Sequence, residues 1–94
     1  MTIKHQPGTT KGRFVLIDEE RELGEMTYSV AGKDKIIIDH TEGFPGSEGK
    51  GVGRKLVMAG VEHARANGIK IIPLCPYARS VFARNAAELA DVLA

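Results

Sequence analysis

The feature that most limits how this chain folds is a glycine-rich loop placed between an apolar strand and an amphipathic helix. The run Ile36–Ile38 is typical of a strand, and five of the eleven glycines follow it in the segment Gly43–Gly53. Apolar residues then recur with a helical period over Leu56–Ala64, where Gly60 predicts a close approach of the helix to a sheet. A second apolar stretch, Ile69–Leu74, follows. This order predicts a right-handed crossover that makes the two strands parallel neighbours.

The residues before this unit are predicted to form three antiparallel strands. These strands are Arg13–Asp18, Glu22–Val30 and Lys35–His40, with polar or glycine-containing turns between them. Because isoleucine occupies both faces of the pleat in the third strand, we expect that strand to be covered on both sides. Residues 1–11 are polar and include Pro7-Gly8, which predicts a flexible start. Residues 12–94 are then expected to form a single domain.

Helix boundaries are marked by glycine, proline and small polar residues. Asn67-Gly68 predicts the end of the first helix, because glycine accepts the left-handed conformation there. Pro76 suits the first position of a second helix, with Cys75 as its cap. Asn85–Glu88 has the spacing of a capping box, which predicts a final helix over Ala86–Leu93. The expected fold class is α+β: an antiparallel three-strand meander plus a parallel-paired strand, with helices packed on the sheet.

Charge is unevenly distributed along the chain, although the formal net charge is only +1. Residues 50–84 carry seven basic residues and one acid, whereas residues 1–49 carry a net charge of −3. The basic segment is either a solvated helix surface or an anion site. The acidic flanks and an aromatic content of 5% argue against a nucleic-acid partner.

The cysteine count and the apolar runs exclude several classes of protein. The single cysteine, Cys75, rules out an internal disulfide and a cysteine-based metal framework, and no metal site is predicted. No apolar run approaches the ~20 residues of a membrane helix, and the first residues lack an apolar leader. We therefore expect a cytoplasmic monomer with a reduced thiol and no membrane partner.

The loop from Glu48 to Gly53 has the features of a phosphate site. Its glycine spacing fits neither the Walker A loop nor the dinucleotide-binding fingerprint. Glycines let the backbone approach a ligand, and amides at the start of a helix carry partial positive charge. Lys50, Arg54 and Lys55 strengthen that field. The loop predicts binding of phosphate or pyrophosphate, unless it is a flexible loop before a well-capped helix.

Two motifs resemble those of the GCN5-related N-acetyltransferase (GNAT) superfamily. Glu48-x-x-Gly51-x-Gly53, after a strand that ends in Asp39–Glu42, resembles the superfamily's acyl-CoA loop, Gln/Arg-x-x-Gly-x-Gly/Ala. The segment Lys70–Ala78, which contains Cys-Pro-Tyr, is similar to that of the small, reduced members of the YjdJ type. The resemblance spans about residues 12–92 and departs from the pattern at Glu48, where Gln or Arg is usual.

The resemblance implies a reduced acyl-CoA N-acyltransferase fold with acetyl-CoA as cosubstrate. Backbone amides of the glycine loop would hold the CoA pyrophosphate. The pantetheine arm would pair with the strand before the loop, which places the acyl thioester near His40 and Cys75. The implied cofactor-binding residues are Ile38, Asp39, His40, Thr41, Gly49, Lys50, Gly51, Val52, Gly53, Arg54 and Lys55.

Three side chains near the implied thioester are candidates for catalysis. Cys75 is a candidate nucleophile at a helix start, unless it is an inert buried thiol. His40 is a candidate general base for the amine, unless it is only a hydrogen-bonded strand-end residue. Tyr77 could return a proton to the leaving thiolate, a role that tyrosine fills in larger acetyltransferases, unless its ring merely packs.

The residues and the resemblance together predict acetyl transfer from acetyl-CoA to an unidentified amine. Transfer is either direct or through an acetyl-Cys75 intermediate. The chain lacks the long N-terminal helices and closing strands with which larger members build the acceptor pocket. A non-catalytic module that binds or senses acyl-CoA is therefore the alternative. A third possibility is a small partner-binding domain whose loop holds only stray anions.

Overall fold

The computed structural model describes all residues from Met1 to Ala94 and contains five strands and three helices. The strands form one sheet in the order of the chain, with the first four antiparallel and the last two parallel. No helix is both long enough and apolar enough to cross a membrane. The elements are β1 (Thr2–Gln6), β2 (Lys11–Asp18), β3 (Arg21–Val30), β4 (Lys35–Gly43), α1 (Val52–Asn67), β5 (Lys70–Pro73), α2 (Pro76–Arg84) and α3 (Ala86–Leu89).

The helices pack on one face of the sheet and build a single apolar core there. Met26 of β3, Ile38 of β4 and Leu56 of α1 are all completely buried in this core. A side-chain carbon at Gly60 would lie only 2.8 Å from the Met26 methyl group, so the predicted close approach of α1 to the sheet is confirmed. The predicted parallel pairing of β4 with β5 is also confirmed.

The opposite face of the sheet, here called the open face, carries no helix. Ile37 is only partly buried on this face, so the prediction that β4 is covered on both sides is wrong. Polar side chains occupy much of the open face; Arg13, for example, donates a hydrogen bond to Glu25 at 2.8 Å. An antiparallel sheet tolerates this arrangement because its alternating side chains present a separate polar face to water.

The start of the chain differs from the flexible segment that the sequence predicts. Residues 2–6 form β1, which pairs with β2 from Thr2 opposite Ile17 to Gln6 opposite Arg13. The ring of His5 stacks on Phe14 with centroids 4.2 Å apart, and its Nε2 lies 2.5 Å from the Tyr28 hydroxyl. The antiparallel meander therefore has four strands instead of three, because pairing with the next strand, β2, orders a segment that lacks a strong local signal.

The end of α1 follows the prediction, whereas the N-terminal cap and the C-terminal end of the last helix depart from it. Gly68 caps α1 with a φ of 64°, as predicted. The predicted capping box is absent, because the Asn85 amide donates to the carbonyl of Val81 in α2 instead. The last helix ends at Leu89, since the chain then turns to pair with β5, where the Ile71 amide donates to the carbonyl of Val92.

Candidate functional site

A gap opens between the parallel strands β4 and β5. Their last paired residues are Ile38 and Pro73, beyond which β4 continues to Gly43 while the chain after β5 turns into α2. The Ile38 carbonyl accepts hydrogen bonds from the amides of Leu74 and Cys75 at 3.2 and 3.0 Å. The backbone of β4 after Ile38 thus has no partner strand on this side, and we call this opening the β4–β5 gap.

A β-bulge lies in β4 at the mouth of this gap. Tyr28 of β3 pairs with Ile38 and Thr27 pairs with His40, so Asp39 is the extra residue. The Asp39 carboxylate accepts a hydrogen bond from the Ser29 hydroxyl at 2.6 Å. A bulge bends its strand and changes the direction of its side chains. Pairing with β3 nevertheless continues to Gly43 opposite Gly24, so only the edge of β4 on the β5 side is left unpaired.

Cys75 lies in the gap and holds together two elements of the site. Its sulfur accepts the Ala78 amide at 3.5 Å, which caps the first turn of α2 as predicted. Its thiol donates to the hydroxyl of Thr41 in β4 at 3.6 Å, and only 4% of the residue is exposed. The contact between Cys75 and Thr41 requires knowledge of how β4 and α2 pack, so the sequence alone did not indicate it.

His40 lies on the other side of β4 from Thr41. Because paired residues share a face, His40 lies with Thr27 on the open face, whereas Thr41 lies with Met26 on the helix-covered face. The His40 imidazole is more than half exposed, and its Nε2 is 3.2 Å from the Glu42 carboxylate. The structure therefore brings His40 to the gap but not into contact with Cys75.

The start of α1 has an unusual local structure. Gly51 precedes the helix with a φ of 65° and provides no side-chain cap. The first helical hydrogen bond joins the Lys55 amide to the Gly51 carbonyl at 3.1 Å. The amides of Val52, Gly53 and Arg54 consequently have no acceptor in the protein, and no acidic side chain lies in the first turn. We call these three amides the open start of α1.

Positive charge surrounds the open start of α1. Arg54 forms no salt bridge, and the Lys55 ammonium donates to the Lys50 carbonyl at 2.9 Å. Glu48, which replaces the Gln or Arg of the motif, is exposed and pairs with no cation. Free amides, a helix dipole and unpaired cations together form a favourable site for an anion. No group of three His, Cys, Asp or Glu side chains is placed to hold a metal ion.

Tyr77 connects the two helix starts. A side-chain carbon built on Gly53 would lie 2.8 Å from two atoms of the Tyr77 ring and 3.0 Å from its hydroxyl oxygen. Glycine at position 53 therefore leaves room for a tyrosine of α2, which places the cap of α2 beside the open start of α1. The sequence motif includes a glycine at position 53, but it does not indicate that the Tyr77 side chain occupies the space beside it.

The chain is similar to known proteins in both its sequence and its fold. The sequence profile of GCN5-related N-acetyltransferases matches residues 13–92. A GCN5-like protein from Staphylococcus aureus, a candidate N-acetyltransferase solved by NMR, has a TM-score of 0.70 and 37% identity. That alignment covers 97% of this chain and 87% of the other. A search of curated proteins finds no match.

Two more distant structures share the fold. A ribosomal-protein-alanine N-acetyltransferase from Brucella melitensis biovar Abortus 2308 has a TM-score of 0.69 at 15% identity, over 82% of this chain and 62% of that one. An aminoglycoside N-acetyltransferase solved with CoA has a TM-score of 0.57 at 16% identity, over 82% of this chain and 67% of the other. The profile match and the staphylococcal likeness decide the family: this chain belongs to the GCN5-related N-acetyltransferases, whose fold it has.

Proposed function

We propose that this protein transfers an acetyl group from acetyl-CoA to an amine. The observation that carries the proposal is the position of the open start of α1 beside the β4–β5 gap. Tyr77 reaches Gly53 from the same helix turn that Cys75 caps, so the anion site and the thiol are neighbours. A ligand with a phosphate group at one end and an extended thioester arm at the other fits this arrangement.

The two halves of CoA have separate partners in this proposal. The pyrophosphate accepts hydrogen bonds from the amides of the loop and the open start of α1, and Arg54 and Lys50 add positive charge. The amide groups of pantetheine pair with the unpartnered edge of β4 between Ile38 and Thr41, as an added strand would. A distant structural neighbour, the aminoglycoside N-acetyltransferase, was solved with CoA. The full set of binding residues is Ile38, Asp39, His40, Thr41, Gly49, Lys50, Gly51, Val52, Gly53, Arg54 and Lys55.

Cys75 is the proposed nucleophile. Its sulfur attacks the thioester carbonyl carbon, a new carbon–sulfur bond forms, and the bond to the CoA sulfur breaks. The proton that Cys75 loses leaves with CoA as its thiol. The Ala78 amide donates to the Cys75 sulfur at 3.5 Å and stabilises negative charge on it. The Thr41 hydroxyl accepts from the thiol at 3.6 Å, and after the proton leaves it can turn to donate to the thiolate.

His40 is the proposed general base of the second step. The amine reaches the gap across the open face, where His40 is exposed beside Glu42. The amine nitrogen attacks the acetyl-Cys75 carbonyl, His40 takes the amine's proton, and the thiolate of Cys75 is released. Because Cys75 and His40 lie on opposite faces of β4, the acetyl group and the amine must meet within the β4–β5 gap in this step. In direct transfer, His40 acts alone on the amine.

Calorimetry and a CoA-release assay across a panel of amines test this proposal together. We expect saturable binding of acetyl-CoA and release of free CoA that depends on the amine. Absence of binding heat at millimolar acetyl-CoA would overturn the proposal, and would favour a partner-binding domain instead.

The open face favours a second candidate function. No element beyond the sheet provides a wall for an acceptor next to His40, and the chain spans 62% of the length of the Brucella enzyme. A module that binds or senses acyl-CoA needs only the open start of α1 and the gap. It predicts saturable binding of acetyl-CoA without thioester cleavage for every amine.

We also propose that the chain is a YjdJ-type member and acts as a monomer in the cytoplasm. The Cys-Pro-Tyr segment supports the subgroup. A free thiol with a chemical task suits a reducing compartment. Size-exclusion chromatography with light scattering tests the oligomeric state.

A further inference from the structure

The hydroxyl of Tyr77 has no hydrogen-bond partner within the folded chain. The residue is 38% exposed at the surface. The other tyrosine, Tyr28, bonds to His5 through its hydroxyl. The Tyr77 hydroxyl is therefore available to solvent or to a ligand, and its surroundings decide which ligand group it can reach.

The hydroxyl lies within reach of whatever binds to the Gly53 amide. It is 3.0 Å from the position of a side-chain carbon on Gly53. Standard bond lengths place that carbon roughly 2.5 Å from the backbone nitrogen, so the hydroxyl oxygen is at most about 5.5 Å from the nitrogen. Donors this far apart can bind one phosphate group, each to a different oxygen of the group. A phosphate at the open start of α1 can therefore accept from Gly53 and Tyr77 together.

We infer that Tyr77 donates its hydroxyl proton in a hydrogen bond to the CoA pyrophosphate, and so acts as a binding residue of the open start of α1. The resemblance to larger acetyltransferases assigns Tyr77 a different task, the return of a proton to the leaving thiolate. The geometry points to the phosphate end because the ring lies against Gly53 and its hydroxyl beside the free amides. This inference rests on the proposed binding of acetyl-CoA.

The inferred contact also ties the bound donor to the thiol. Cys75 caps α2 and Tyr77 is the second residue of the same helix. A phosphate that binds Gly53 and Tyr77 joins the first turn of α1 to the first turn of α2. Binding at the phosphate end therefore restrains the helix turn that holds Cys75 against Thr41.

The test compares Tyr77→Phe with Tyr28→Phe, which makes the same chemical change at the other tyrosine. The affinities for CoA are measured by calorimetry, and kcat and KM are measured with acetyl-CoA and with acetyl-pantetheine, which lacks the pyrophosphate. Loss of one hydrogen bond to a charged group should weaken CoA binding about 10-fold in Tyr77→Phe, mainly through KM. Acetyl-pantetheine should show no comparable loss, and Tyr28→Phe should bind CoA as the wild type does.

Two results would overturn the inference and can be told apart. If the wild type binds CoA and Tyr77→Phe binds it equally well, the hydroxyl does not contact the phosphate. A fall in kcat with both donors would then assign Tyr77 the proton-donor task. If the wild type itself does not bind CoA, the proposed function fails together with the inference.

Discussion

The two helices that meet at the site begin in opposite ways. The start of α1 has a glycine in the left-handed conformation, no cap, and three amides without acceptors. The start of α2 has a proline at its first position and the Cys75 sulfur as its cap. A side-chain cap stabilises a helix by about 1 kcal/mol, so α1 forgoes stability that α2 retains.

The difference separates two functions: anion binding is located at the start of α1, and the reactive thiol at the start of α2. Amides that are left free at α1 can bind an anion, whereas at α2 the capping atom is itself the reactive group. Because Tyr77 bridges Gly53 and the first turn of α2, a change at one helix start should be detected at the other. Variants that block the open start of α1 or remove the Cys75 cap of α2 test this view.

The largest expected effect is at the cap of α2. With acetyl-CoA, the wild type should gain an adduct of about 42 Da, and Cys75→Ser and Cys75→Ala should lose it in intact-protein mass spectra. Cys75→Ala should also unfold more easily than Cys75→Ser, by about 1 kcal/mol, because serine retains an acceptor for the Ala78 amide. Unchanged turnover in both variants would exclude the covalent route.

Charge at the open start of α1 should have the next largest effect. Arg54→Glu places a carboxylate in the first turn of α1, and should weaken acetyl-CoA binding by about 10- to 100-fold, since a charge-assisted contact is replaced by repulsion. The matched control is Lys33→Glu, which makes the same charge change in the exposed turn after β3. Calorimetry should show near wild-type affinity for the control. Equal losses in both variants would point to net charge instead of a site.

Substitution of the two glycines of the motif, Gly51 and Gly53, should impair different properties of the protein. Gly51→Ala has open space but a φ of 65°, so it should lower the free energy of unfolding by about 1 kcal/mol. Gly53→Ala has no such strain, yet its methyl group must displace the Tyr77 ring. It should therefore weaken CoA binding about 5-fold without loss of stability. Thermal melts and calorimetry separate the two, and identical behaviour of the variants would contradict the assignment.

The contact between Thr41 and Cys75 should have a moderate effect on rate alone. Thr41→Val removes the hydroxyl that lies 3.6 Å from the sulfur, which should slow acetylation of Cys75 about 5-fold, as expected for one hydrogen bond. Thr41→Ser retains a hydroxyl and should stay within about twofold of the wild type. Time-resolved mass spectrometry measures both rates. Equal rates for the valine and serine variants would show that the hydroxyl has no role.

The smallest effect on the site is expected from a lower pH. Acid should reduce the stability of the fold through His5 in β1 and His63 in α1, which lie away from the open start of α1. Burial, with a contribution from His63, lowers the pKa of His5 below 6.5, and burial also lowers the pKa of His63. The unfolded chain therefore takes up protons first as the pH falls, so stability is complete above about pH 6.5 and declines below it.

Substitution of His5 should reduce this acid sensitivity. The facing groups are Phe14, Tyr28 and His63, and none is a carboxylate that would compensate a charged imidazole. His5→Phe should show a smaller fall in Tm between pH 7.5 and pH 5.5 than the wild type does. An unchanged acid response in His5→Phe would refute this origin of the pH dependence.

Much of the fold follows from local patterns in the sequence. The repeat of apolar residues, together with the turn residues, is sufficient to predict β2 to β5 and α1. The caps at Gly68 and Cys75 follow from the local conformations that glycine and proline impose. By contrast, β1 depends on pairing with β2, and the end of α3 depends on pairing of the last residues with β5. Both depend on pairing with another strand, which the residue pattern within one segment does not contain.

The site divides in the same way. The open start of α1 was predicted because glycines and basic residues at a helix start have direct physical consequences. The bulge at Asp39 was not, because it depends on the register between two strands. That register determines which face of β4 His40 and Thr41 each occupy. The contact of Tyr77 with Gly53 likewise depends on how α1 and α2 pack.

The most direct test of the central claim is a titration of the protein with acetyl-CoA followed by backbone amide chemical shifts. If the open start of α1 and the β4–β5 gap bind the donor, the largest changes should occur at residues 52–54, with further changes near Thr41 and Cys75. Chemical-shift changes confined to β1 and to Arg79 and Arg84, two exposed arginines of α2, would contradict the account if the amides of residues 52–54 were unaffected.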